Sequence, residues 1–202
     1  MEFVSHTHRN GKELLETQYP EIWEELKEVL KNITDEDLIK RFPESKNKMS
    51  LSAAINNLIK ERLVEKGWLK EAPIFQGEGY EEGTWRLDFA KEPISIEVSF
   101  NHGEALAWNL TKPTLASEVN NVKKAIQTKI GIVILVTKEM KSACAFDGAV
   151  GEYEKCIRYL TPMHTLLTAP MVLIGLKAPK TFRMKKIKEN GSNKGVIEMI
   201  QK

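Results

Sequence analysis

The sequence predicts an α/β fold, a single mixed β-sheet sandwiched by α-helices. Three observations carry this. Ile130-Gly-Ile-Val-Ile-Leu-Val136 and Met171-Val-Leu-Ile-Gly-Leu176 are near-continuous apolar runs of strand length, the pattern of strands covered on both faces. Residues 85–100 alternate apolar and polar, as half-buried strands do. Several stretches elsewhere repeat apolar residues at helical spacing.

Pro20 opens the first clear helical pattern, with Ile22, Trp23, Leu26, Val29 and Leu30 on one stripe. Thr34 with Asp37 three residues on is a capping-box signature for a short helix ending near Phe42. Residues 44–49 are a polar loop. Ser50 is the expected cap of the next helix, whose apolar face is Leu51, Ala54, Ile55, Leu58, Ile59 and Leu63 and whose stop is Gly67. Gln76–Gly83 is a glycine-rich loop, but its three acids repel phosphate and no helix follows, so it makes a poor phosphate cradle. Trp85, Leu87 and Phe89 share one parity, and Arg86 and Asp88 the other. After a turn at Lys91-Glu92-Pro93, Ile94, Ile96, Val98 and Phe100 alternate with Ser95, Glu97 and Ser99. Asn101-His102-Gly103-Glu104 reads as a turn-rich loop, Ser117–Lys129 as a polar helix with Val119, Val122 and Ile126 inward, and Thr137–Gly151 as a loop. A helix is expected from Glu152 to about Leu160. The strand–helix–strand order implies a parallel crossover.

At 202 residues, with 42% hydrophobic and 29% charged content, the chain suits one domain with a substantial core. Net charge is only +2, but its distribution is uneven. From Lys177 onward eight basic residues face two acids, so a basic tail follows an acidic body, which suggests a polyanion partner. Cys144 and Cys156 are twelve apart with no second pair, so neither a zinc site nor a disulfide framework is indicated, and a reducing, cytoplasmic compartment fits. The first ten residues hold no long apolar run, so no signal peptide is expected. No stretch of about 20 apolar residues offers a membrane span. His6 and His8 are expected in solvent, His164 in a structural role, and Cys144 as a small buried hydrophobe.

The chemistry concentrates in the alternating pair. Glu97 and Ser99 share the polar face of one strand, and if the two strands pair, Asp88 and Glu97 converge on one side of the sheet. Two nearby carboxylates call for a cation, and a hard divalent ion such as Mg²⁺ suits oxygen ligands. An acidic pair is also what the polar face of any half-buried strand can carry.

Pro20-Glu-Ile-Trp-Glu-Glu-Leu26, Lys66-Gly-Trp68, Asp88-Phe with Glu97-Val-x-Phe100 nine residues on, Glu152-Tyr-Glu154 and Ala169-Pro-x-Val-Leu-Ile-Gly-Leu176 occur in one order across residues 5–178. In this the chain resembles the BglII-type restriction endonucleases, of the PD-(D/E)xK nuclease class. The resemblance implies a restriction-endonuclease-like core over residues 1–179, with 180–202 as a basic C-terminal extension. It implies a Mg²⁺-dependent homodimer that cuts double-stranded DNA at a short palindrome, with a GATC core and 5′ overhangs. Carried over, Asp88 and Glu97 match the metal-binding acids, and Val98 supplies a carbonyl to the metal. Glu71, seventeen residues before Asp88, falls where relatives place an upstream acid or amide at the active site. One position departs: the triplet's last residue is Lys in most of the class and Gln or Glu in this branch, but here it is Ser99. A serine hydroxyl is a poor general base near neutral pH. An alternative is therefore a sequence-specific DNA-binding protein of the same fold with weak or lost cleavage. Asn101 and His102, just past the catalytic strand, and Lys141, Ser142 and Asp147 in the later loop are the expected base contacts.

Overall fold

The computed structural model describes residues 1–45, 49–118, 121–189 and 191–201. Six strands form one mixed sheet: β1 (Phe3–His8), β2 (Leu69–Pro73), β3 (Arg86–Lys91), β4 (Ile94–Val98), β5 (Ile130–Val136) and β6 (Met171–Leu176), in the spatial order β1-β6-β5-β4-β3-β2. The middle three are mutually parallel, and β1, β3 and β2 run antiparallel to their neighbours. Parallel neighbours need crossovers. Helix α5 (Leu106–Ser117) lies between β4 and β5, and α6 (Lys138–Ala143) and α7 (Tyr153–Leu160) lie between β5 and β6.

The period-2 alternation sorts the core. Ile130, Ile132, Ile134 and Val136 face a layer built by α1 (Gly11–Gln18), α2 (Pro20–Lys31), α3 (Asp35–Arg41), α4 (Ser52–Glu65) and α6. Val133 and Leu135 face α5 and α7. Every residue of β5 is buried, as its unbroken apolar run requires. On β4, Ile94 and Ile96 face the first layer, so Ser95, Glu97 and Ser99 turn toward α5. The strand's polar face is therefore covered by a helix rather than by water.

Pro20 stands at the first position of α2, and the Thr34–Asp37 capping box of α3 is reciprocal, as the spacing required. Four expectations are corrected. The helix expected over 117–129 lies one element earlier, at α5. Residues 123–125 instead run extended, with Gln76 and Ala125 amides donating to Lys123 and Ile74 carbonyls at 2.8 and 2.9 Å. Pro113 inside α5 disguised that helix. Val119 and Asn120, and residues 46–48 of the expected polar loop, lie outside the described residues. The segment 137–151 is not all loop, because Thr137 accepts a bond from the Met140 amide and starts α6. Ser50 stands one residue before the cap position of α4, which is Leu51. His8 is buried, not solvent-exposed: strand β1 pairs with β6, and its Nε2 lies 2.8 Å from the Leu167 carbonyl.

The basic C-terminal segment forms a hairpin, β7 (Phe182–Glu189) and β8 (Ser192–Met199). Phe182 and Met184 are buried in the main core and anchor its base. No helix among the described residues is long and apolar enough to cross a membrane.

Candidate active site

The β3–β4 ladder pairs Lys91 with Ile94, Ala90 with Ser95 and Phe89 with Ile96, then opens. The residues just past the opening are Asp88 and Glu97. Side chains take over from the ladder there. The Asp88 amide donates to Glu97 Oε1 at 3.3 Å, and the Val98 amide donates to Asp88 Oδ2 at 2.7 Å. The two acids expected to converge do so, interlocked through backbone amides.

The far side of Glu97 meets α5. Asn109 and Lys112 are one helical turn apart and share a face, as do Glu97 and Ser99 on the strand. Lys112 Nζ forms an ion pair with Glu97 Oε2 and donates to the Arg86 carbonyl at 3.1 Å. Asn109 Nδ2 donates to Ser99 Oγ at 2.8 Å. Glu97 and Ser99 are each 1% exposed. Burial, then the neighbouring Asp88, pushes the Glu97 carboxyl up to about 8, against the pull of Lys112. Asp88 is raised too, chiefly by burial, with the Val98 bond and Lys112 opposing.

Asp88 and Val98 open onto a cleft of about 300 Å³, lined also by Asn56, Asn57 and Lys60 of α4, Lys70 and Glu71 of β2, and Asn101. Glu71 falls opposite Asp88 in the β2–β3 register, with a left-handed φ of 48°. A non-glycine residue held there is strained by roughly 1–2 kcal/mol. The Arg86 guanidinium donates to the Glu71 carbonyl at 3.1 Å. Asp88, Glu71 and Val98 thus share one cleft with Glu97 directly behind. Ser99 does not join them, because its hydroxyl is bound to Asn109 on the α5 side.

The expected base-reading residues gather beside this cleft. His102 and Val150 form an antiparallel bridge, the Gly103 amide donates to the Ala149 carbonyl at 2.6 Å, and the Gly151 amide to the Asn101 carbonyl at 3.1 Å. Two loops far apart in sequence are thereby one unit. Asn101, His102 and Asp147 line a second cavity with Ser50, Ser52 and Lys186. Ser142 is exposed in an adjoining groove with Lys138, Lys185 and Lys186. Lys141 differs: its ammonium donates to the Gly148 and Val150 carbonyls, both at 2.8 Å, and staples the loop.

The sequence reading missed Asn56, Asn57, Lys60, Lys70, Lys112 and Lys186. Two signals were present. Asn56-Asn57 puts two adjacent amides on the exposed face of a helix whose other face is apolar, and Asn109 and Lys112 sit at helical spacing among apolar residues.

A family model, restriction endonuclease BglII/BglIII, matches residues 3–176. The chain belongs to that family. It is a type II site-specific deoxyribonuclease. The fold agrees with the crystal structure of restriction endonuclease BglII complexed with a DNA 16-mer, at 18% identity, TM-score 0.67, and 99% coverage of this chain and 100% of that one. It agrees also with free BglII, at 17% identity, TM-score 0.59 and 99% of both chains. No curated protein matches in sequence.

Restriction endonucleases of this family are generally divalent-metal dependent. The donor chemistry here fits a hard cation: Asp88 and Val98 bring oxygen donors to the cleft with the Glu97 carboxyl behind them, and the upward shifts of both acids are what a cation relieves. Among the described residues no three His, Cys, Asp or Glu side chains form a closed cage. A two-carboxylate site leaves positions for water, as Mg²⁺ prefers.

Proposed function

We propose that the Asp88–Glu97 interlock is the catalytic centre of a Mg²⁺-dependent enzyme. It acts as a homodimer, hydrolysing double-stranded DNA at a short palindrome with a GATC core and leaving 5′ overhangs. The observation that carries the site is the opening of the β3–β4 ladder, where the amide of half-buried Asp88 donates to the buried Glu97 carboxylate beside a polar cleft. Asp88, Glu97 and the Val98 carbonyl would hold the ion, with Glu71 across the cleft. Bound there, a divalent ion polarises the phosphodiester and lowers the pKa of water.

This chain's own residues do the rest. Lys60 and Lys70 supply positive charge toward the phosphate, and Asn56 and Asn57 supply hydrogen bonds. Ser99, buried against Asn109, is out of reach of attacking water and holds α5 in place. Asn101, His102 and Asp147, on the zipped loops, present short polar groups to base edges. Lys185 and Lys186, with Lys138, give the phosphate backbone a basic track. A palindrome is matched by a two-fold dimer, which supplies both cuts. The GATC core and the overhang rest on the resemblance to the family.

Incubation with plasmid DNA, with and without Mg²⁺, followed by sequencing of the ends, tests this. Discrete fragments with GATC at the junction, formed only with the ion, are expected. Retardation without cutting, or ends lacking GATC, sinks the corresponding part.

A further inference from the structure

We propose that Lys112 is a positioning residue for cleavage, the cation that holds Glu97 in its working orientation from the side opposite the cleft. The inference rests on the reading of Glu97 as an active-site acid.

The geometry points one way. Lys112 is itself buried, so its charge is not there to meet solvent. Its ammonium joins Glu97 Oε2 to the Arg86 carbonyl, and the Arg86 guanidinium reaches the Glu71 carbonyl. One lysine thus links the segments carrying Glu71, Asp88 and Glu97. The other oxygen of Glu97 is held by the Asp88 amide, so both are fixed. The helix delivering Lys112 is pressed onto the sheet at Pro113, against Gly131, where any side chain on β5 would collide with the proline ring. The Asn109–Ser99 bond adds a second rung one turn away. Neither Lys112 nor Glu97 lines the cleft; Lys112 reaches it only through Glu97, whose other oxygen holds the amide of the cleft-lining Asp88.

A buried ion pair is costly to break on one side, because the remaining charge is left uncompensated. A lysine kept only for folding and one kept to orient Glu97 are separated by a double-mutant cycle. Single-turnover cleavage, DNA binding and thermal melting are measured for Lys112→Met, Lys112→Arg, Glu97→Gln and the double variant Glu97→Gln/Lys112→Met. Lys112→Met is expected to lower the cleavage rate about 100-fold at unchanged DNA affinity, and Lys112→Arg to recover at least about tenfold of that. The double variant is expected to cut no more slowly than Glu97→Gln alone, since the partner is already gone. If Lys112→Met does not fold, Lys112→Gln, which keeps donors toward both partners but no charge, takes its place in the same cycle. A Lys112 variant cutting within about threefold of wild type, an arginine variant as slow as the methionine one, or multiplicative losses in the double variant would each overturn the inference while leaving Glu97's role standing. Near-normal cleavage by Glu97→Gln would instead remove the site reading and this inference together.

Discussion

Asp88 and Glu97 sit across the point where their strands part, and the amide of Asp88 donates to the carboxylate of Glu97 at 3.3 Å. The bond replaces a rung of the ladder with a side chain. The strands can therefore separate without leaving an amide bare, and the gap becomes the inner wall of the cleft.

Asp88→Asn and Glu97→Gln are each expected to lower cleavage by at least about 100-fold while DNA retardation persists. Each removes a charge that holds the ion or orients water, but little phosphate-contact surface. A variant of either kind that cuts at a near wild-type rate refutes the assignment.

Ser99→Ala should cost stability more than chemistry. It leaves buried Asn109 Nδ2 without its acceptor, at roughly 1–3 kcal/mol, so the melting temperature should drop by several degrees. Cleavage well below that melting point should stay within a few-fold of wild type. A loss as deep as that of Glu97→Gln would mean that the hydroxyl takes part in the reaction.

Glu71→Gly separates strain from chemistry. Glycine adopts a φ of 48° without penalty, so melting should be unchanged or raised, while cleavage falls with the lost carboxylate. A destabilised Glu71→Gly protein would show that the left-handed backbone is not under strain.

Stability should fall here as pH rises. Glu97 is raised from an ordinary 4.5 to about 8, so between those values the folded protein binds a proton that the unfolded chain releases. In the absence of divalent ions, stability therefore falls as pH climbs through that window; Asp88, also raised, adds in the same sense. Melting curves from pH 5 to pH 9 in chelator decide it, and Glu97→Gln should flatten the slope.

His102→Ala is expected to cost about 1–3 kcal/mol of discrimination at one symmetric base-pair position, leaving non-specific binding nearly intact. Competition between matched and singly altered sites reads this out. Unaltered discrimination removes His102 from base recognition.

Much of this architecture was legible because period and burial agree. The apolar runs of β5 and β6, the alternation of β3 and β4, and the capping box of α3 each has one physical solution, and the spacing of Asp88 and Glu97 follows from the register. What stayed hidden depends on contacts between distant segments. Pro113 breaks the helical pattern in sequence, yet is tolerated because Gly131 makes room for it. Lys112 meets Glu97 only because α5 lies over β4. His8 read as part of a polar terminus, but strand pairing carried it inside. The basic tail has too little alternation to announce a hairpin, and Phe182 and Met184, with Ile197 packed beside the core and Thr181 bonded to Asp35, tie it down.

The bridge between His102 and Val150 also bears on how such an enzyme could change its target. Because Asn101–Gly103 and Ala149–Gly151 are sewn together by main-chain bonds, an insertion in either drags the other. Lineages drifting toward a new site would therefore have to alter the two segments in concert, or exchange side chains while keeping both lengths. Laboratory retargeting should favour paired libraries over loop-by-loop selection.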